Sequence, residues 1–147
     1  MIAPLNAVTR KHRGSPLTFA FVAFSLAATP ALAEPSFVGI WYSAYQPDEP
    51  GVMSLIEFRA DGTFYEEFRK CDNGDYVGYQ TESGTWSVVD GVERTVIDTI
   101  NGDAAKVEDS YAIESLTNTE RRIRMEDNIF VSHRVAKFEF PHCPTGT

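Results

Sequence analysis

The chain has 147 residues, 43% hydrophobic and 12% aromatic, with 13 Lys plus Arg against 21 Asp plus Glu and a formal charge of −8. This acidic balance argues against a general nucleic-acid binder, which needs cationic surface to displace counterions from phosphates, and against adsorption to anionic membranes. It fits a soluble, self-repelling surface, or a field that steers a cationic partner.

The first 33 residues contain no Asp or Glu. Arg10, Lys11 and Arg13 form a basic start, followed by an apolar run from Leu17 to Ala28. Ala31-Leu32-Ala33 then supplies the small residues a signal peptidase needs, so residues 1–33 read as an export signal cut between Ala33 and Glu34. The apolar run falls short of the roughly 20 residues of a membrane-spanning helix, and Pro30 interrupts its end. A periplasmic or secreted protein is expected, without stable membrane insertion. Removing 33 of the 147 residues leaves one domain, residues 34–147. Without Arg10, Lys11 and Arg13 its charge is about −11.

After Glu34 no stretch has helical periodicity. Val, Ile, Thr, Phe, Tyr and Trp fall in short alternating runs, which predict strands near 37–46, 51–59, 63–70, 76–81, 84–89, 92–100, 106–116, 120–126 and 128–138. Asp61-Gly62, Asp90-Gly91 and Asn101-Gly102 suit tight hairpin turns because they tolerate positive φ. Short links between consecutive strands imply an antiparallel meander, and closure into a barrel would remove its two edges. The fold expected is therefore all-β, a small up-and-down barrel of eight to nine strands. Alternation places Phe64 and Phe68, Trp86 and Val88, Tyr111 and Ile113, and Phe130 on inward faces.

Cys71 and Cys143 are the only cysteines. In an oxidising compartment an isolated pair is most economically read as one disulfide. The alternative, a redox or nucleophilic cysteine, lacks a Cys-x-x-Cys.

Sites for chemistry are few. His133 and His142 do not make a zinc set, which needs three or four convergent ligands, and no metal or cofactor is expected. Asp72-Asn73-Gly74-Asp75 has calcium-like oxygens but not the length of a calcium loop, and reads as a solvated turn. Glu66 and Glu67 point to opposite faces, so they cannot act as a pair on one substrate. Glu66 shares the inward face of Phe64 and Phe68, where a carboxylate must find a donor or change its pKa. It belongs either to a structural polar network or to the polar end of a pocket. Arg122 and Arg124 share one face, opposite Arg121, Ile123 and Met125. The Arg122 face reads as outer wall; if it lined the barrel it would hold an anion. No phosphate loop, nucleophile elbow or zinc-protease motif is present, so an enzyme is not expected.

Four segments together resemble the small bacterial lipocalin-like, or calycin-type, β-barrel domains: Phe37-Val38-Gly39-Ile40-Trp41, Ile56 to Phe64, Ser83-Gly84-Thr85-Trp86-Ser87-Val88, and Tyr111 to Leu116. The resemblance implies that Trp41 of the Gly39-x-Trp41 motif packs across the barrel base under Arg134 of the last strand. Guanidinium over indole would combine cation–π attraction with closure of the barrel. The resemblance bears on the fold and not on the function, which is read from the barrel mouth and the charge. The first functional expectation is a small hydrophobic or amphipathic ligand at a mouth lined by Tyr45, Tyr65, Glu66, Phe68 and Tyr79. The second is a protein-binding module, such as a periplasmic protease or lysozyme inhibitor, whose acidity suits a cationic target. A monomer is expected in either case.

Overall fold

The computed structural model describes residues 36–44, 47 and 51–143. The expected cleavage point and Tyr45 lie outside the described residues.

Eight antiparallel strands form a closed barrel: β1 (Gly39–Ser43), β2 (Val52–Phe58), β3 (Thr63–Asp72), β4 (Asp75–Val89), β5 (Val92–Ile100), β6 (Asp103–Leu116), β7 (Glu120–Met125) and β8 (Asn128–Val135). Each pairs with the next, and β8 returns to β1 with Arg134 opposite Trp41. The tight turns follow from residues that accept positive φ. Asn73-Gly74, Asp90-Gly91 and Asn101-Gly102 have φ pairs of 50° and 92°, 52° and 75°, and 52° and 83°. These are two-residue hairpins whose twist matches the strands they join.

Among the described residues there are eight strands, and the expected runs 76–81 and 84–89 are one continuous strand, β4. The strand runs through a bulge at Ser83-Gly84, where the β4–β5 register shifts. A Cβ on Gly84 would lie 1.8 Å from the Val96 carbonyl oxygen, so only glycine admits that approach. The last strand is also shorter than its apolar pattern. It ends at Val135, and residues 136–143 leave the sheet.

One end of the barrel is filled. Phe37, Trp41, Ile56, Phe58, Phe64 and Ile97 form a buried cluster, with Trp86, Ile100, Ile113 and Leu116 packed against it. Phe58 lies 5.1 Å from Trp86 and 6.1 Å from Phe37 between ring centroids, and Trp41 Nε1 donates to the Phe37 carbonyl at 2.7 Å. Val88 shares the face of Trp86 but is 39% exposed, two residues from the β4–β5 turn.

The departing segment forms a strap on the outer wall. Phe138 packs on Tyr65 at 5.5 Å, the Tyr76 hydroxyl donates to the Pro141 carbonyl at 2.6 Å, and Cys143 is disulfide-bonded to Cys71. Arg69 lies over the rings of both Tyr76 and Phe140, at 4.8 and 4.6 Å, while its Nε donates to Glu67 at 2.6 Å. Leu55 and Met53, on the outward face of β2, are buried. Apolar residues on both faces of β2 thus have a reason, since that strand is covered on both sides.

Candidate functional site

A cavity of about 160 Å³ lies inside the barrel, lined by residues from all eight strands. Period-two alternation builds it. Ser43 of β1, Ser54 and Ile56 of β2, and Phe64, Glu66 and Phe68 of β3 all point inward. Glu82 of β4, Glu93 and Thr95 of β5, and Asp109 and Tyr111 of β6 continue the wall. Arg121 and Ile123 of β7 with Phe130 and Ser132 of β8 complete it. The cavity thus rests on the aromatic floor and carries a polar ring.

The ring holds four carboxyl groups and one guanidinium. Arg121 is fully committed. Its Nε donates to Glu93 Oε2 at 2.9 Å, its Nη2 donates to Glu93 Oε1, and its Nη1 donates to Ser132 Oγ at 3.1 Å. Its guanidinium also lies 5.1 Å from the Phe58 ring centroid. This is the forked geometry that makes a buried ion pair tolerable.

The other three carboxyl groups form no salt bridge among the described residues. Glu66 stands directly opposite Glu82 across the β3–β4 ladder. Glu66 retains some accessible surface, and that surface faces the cavity. Burial pushes its pKa up to about 8, the Glu82 charge adds to this, and Arg121 and a hydrogen bond with Ser54 oppose it. Burial also raises Glu82, against a hydrogen bond from Gln80 Nε2 at 2.7 Å, and raises Asp109. Tyr111 is raised by burial and by the neighbouring carboxylates. Carboxyl groups that titrate upward in this way lack a compensating positive charge.

Of the residues read as ligand-binding, Glu66 and Phe68 line the cavity. Tyr65 and Tyr79 do not: they project from the outer face, and Tyr79 is 62% exposed. Phe64, Glu66 and Phe68 point inward, so the odd-numbered Tyr65 faces outward against Phe138. There burial, with the Tyr79 hydroxyl beside it, pushes the Tyr65 phenol up to about 12. Glu67 likewise faces outward to Arg69, opposite in direction to Glu66.

Arg122 and Arg124 lie on the outer wall beside Glu120 and Glu114, at 3.8 and 2.6 Å. The inward arginine is Arg121, and with Glu93, Glu82 and Asp109 it was not singled out from the sequence. The sequence signal for Arg121 was its shared face with Ile123 and Met125. Asp72 to Asp75 is the β3–β4 turn, and among the described residues no three His, Cys, Asp or Glu side chains could hold a metal ion.

At the closed end, the Arg134 guanidinium sits 4.2 Å from the Trp41 ring centroid. Its Nη1 donates to the Val38 carbonyl at 2.7 Å, its Nε to the Asn118 carbonyl at 2.9 Å, and its Nη2 to the Ser36 carbonyl. Gly39 makes room for it. With φ at 137°, a Cβ there would fall 2.2 Å from Arg134 Nη1.

A family model described as a lipocalin-like domain matches residues 37–120. No curated protein matches the chain. Two crystal structures are similar in fold. One is an uncharacterized protein from Bacteroides eggerthii, 15% identical, with 68% of this chain and 100% of that chain covered and a TM-score of 0.46. The other is a lipocalin-like protein from Bacteroides uniformis, 16% identical, with 67% of this chain and 97% of that chain covered and a TM-score of 0.46. With its matched segment spanning more than half of its length, and a closed eight-stranded antiparallel barrel, the chain belongs to the family of lipocalin-like domains.

Proposed function

We propose that this barrel is an exported, monomeric binding protein, rather than an enzyme, and that it holds a small amphipathic molecule in its interior. The observation that carries this reading is the cavity of about 160 Å³, walled by all eight strands and placed on a filled aromatic floor. A side-chain-filled barrel of eight strands leaves no such space. The volume sets the ligand's size. An engineered apolar cavity of about 150 Å³ holds benzene, and pockets for drug-sized ligands start near 300 Å³, so the occupant has roughly one ring.

Phe68, Ile123 and Phe130 offer apolar contact, while the carboxyl and hydroxyl ring asks for a polar end. A purely apolar ligand would leave that ring without its water. Removal of residues 1–33 and passage to an oxidising compartment are part of this reading, and the Cys71–Cys143 disulfide supports it.

The test is a thermal-shift panel of single-ring cationic, neutral and anionic compounds, with fatty acids as oversized controls. A ligand bound only to the folded state raises Tm with concentration. Concentration-dependent shifts from single-ring compounds, with none from long-chain acids, are expected. No shift from any compound would contradict the reading and turn attention to the exposed Tyr76, Val77 and Tyr79 of the β3–β4 hairpin.

A further inference from the structure

We infer that the ligand of this cavity is an organic cation, a protonated amine carried on a body of about one ring. This rests on the reading of the cavity as a binding site and names the chemical class it takes.

The interior wall carries more carboxyl groups than its one guanidinium can pair. Glu66, Glu82 and Asp109 border the void, and the one guanidinium there is held by Glu93 and Ser132. Glu66 and Glu82 are direct cross-strand partners, an arrangement that is unfavourable for two like charges unless a cation joins them. Glu66 avoids that repulsion by holding its proton; an anionic ligand would make its ionisation costlier, and a neutral one would leave that cost unchanged. An ammonium relieves it and offers its donors to groups that accept them.

The shape of the site selects an organic cation over a metal ion. The carboxyl groups are spread over β3, β4 and β6, and no metal-holding group of three exists among the described residues. Charges distributed around a void suit a cation with an extended body. The rest of the wall suits the body itself: Tyr111 and Phe130 pack edge to face at 5.9 Å, with Phe68 also on the lining. Aromatic rings beside carboxylates attract an ammonium and shelter its hydrocarbon part.

Protons follow from the same geometry. The charged and titratable groups around Glu66 are Glu82, Glu93, Asp109, Tyr111 and Arg121. Burial, with the Glu82 charge beside it, outweighs Arg121, the one positive group among them, so Glu66 holds its proton up to about pH 8. An entering ammonium favours the ionised form and expels that proton. Amine binding therefore tightens as pH rises from 6 towards 8.

Calorimetric titration of the protein with benzylamine, benzyl alcohol and benzoate separates charge from shape. Benzylamine is expected to bind at least tenfold more tightly than benzyl alcohol, with affinity rising from pH 6 to 8 and proton release in buffers of different ionisation enthalpy. Benzoate is expected not to bind. Glu66→Gln and, independently, Asp109→Asn should each weaken benzylamine several-fold, and by clearly more than they change benzyl alcohol. Equal or tighter binding of the alcohol or benzoate overturns the amine assignment. So does benzylamine binding that is indifferent to both substitutions. If none of the three binds, neutral or anionic hits in the wider thermal-shift panel overturn the assignment alone. A panel with no hit of any charge overturns the binding reading beneath it.

Discussion

Glu66 faces Glu82 across the β3–β4 ladder inside the barrel, with no salt bridge to either among the described residues. Its pKa rises in the folded state from 4.5 to about 8, so the folded protein binds a proton that the unfolded chain releases. Stability is then full below about pH 4.5 and falls progressively as pH rises to about 8. Glu82 and Asp109, raised for the same reason, act in the same direction. The native Tm should drop between pH 5 and 8.5, and Glu66→Gln should flatten that slope and stabilise the protein at the alkaline end by about 5 °C or more. A native Tm that climbs over this range would contradict the burial of Glu66 without a salt bridge.

Arg121 and Glu93 behave as one unit. Arg121→Ala leaves a buried carboxylate alone and should cost about 3–5 kcal/mol in urea unfolding. The double substitution Arg121→Met with Glu93→Leu removes both charges and should recover most of that loss, since apolar replacements of a buried pair are often neutral. A double variant as unstable as the single one would mean that the pair contributes more than its own compensation.

Gly39 and Arg134 should fail together. Gly39→Ala puts a methyl group where the guanidinium lies and strains a φ of 137°, so a loss of about 1–3 kcal/mol is expected. Arg134→Ala removes donors to three carbonyls and the cover on Trp41, with a similar cost. Because both act on one contact, the double variant should lose clearly less than the two costs added, which a double-mutant cycle in urea measures. Strict additivity would contradict the shared role.

The strap depends on Cys71–Cys143. Replacing both cysteines with serine should cost about 2–4 kcal/mol and open residues 136–143 to limited proteolysis. Cleavage rates equal to those of the native protein would show that Phe138 and Phe140 hold the strap without the disulfide.

Much of the barrel was legible because its causes are local. Asp90-Gly91 and Asn101-Gly102 mark their hairpins by their own backbone preferences, and period-two alternation correctly turned Glu66, Phe68 and Arg121 to faces separate from Glu67 and Arg122. What stayed hidden depends on residues distant in sequence. Gly84 reads as the start of a separate strand until the Val96 carbonyl beside it shows that it is a bulge within one strand. Phe138 continues an apolar pattern, yet it packs on Tyr65 outside the sheet. Glu93 is one charged residue among many on alternating strands, and only closure of the barrel brings Arg121 to it. Tyr65 and Tyr79 suit a mouth by their aromatic character, but strand parity sends them outward.

Isoleucine-methyl NMR tests the central claim most directly, because interior and outer positions report separately. Titration with single-ring compounds that raise Tm should shift Ile56 and Ile123, which line the cavity, and leave the exposed Ile129 unchanged. Shifts confined to Ile129 and other outer-wall signals, with Ile56 and Ile123 still, would contradict a ligand inside the barrel.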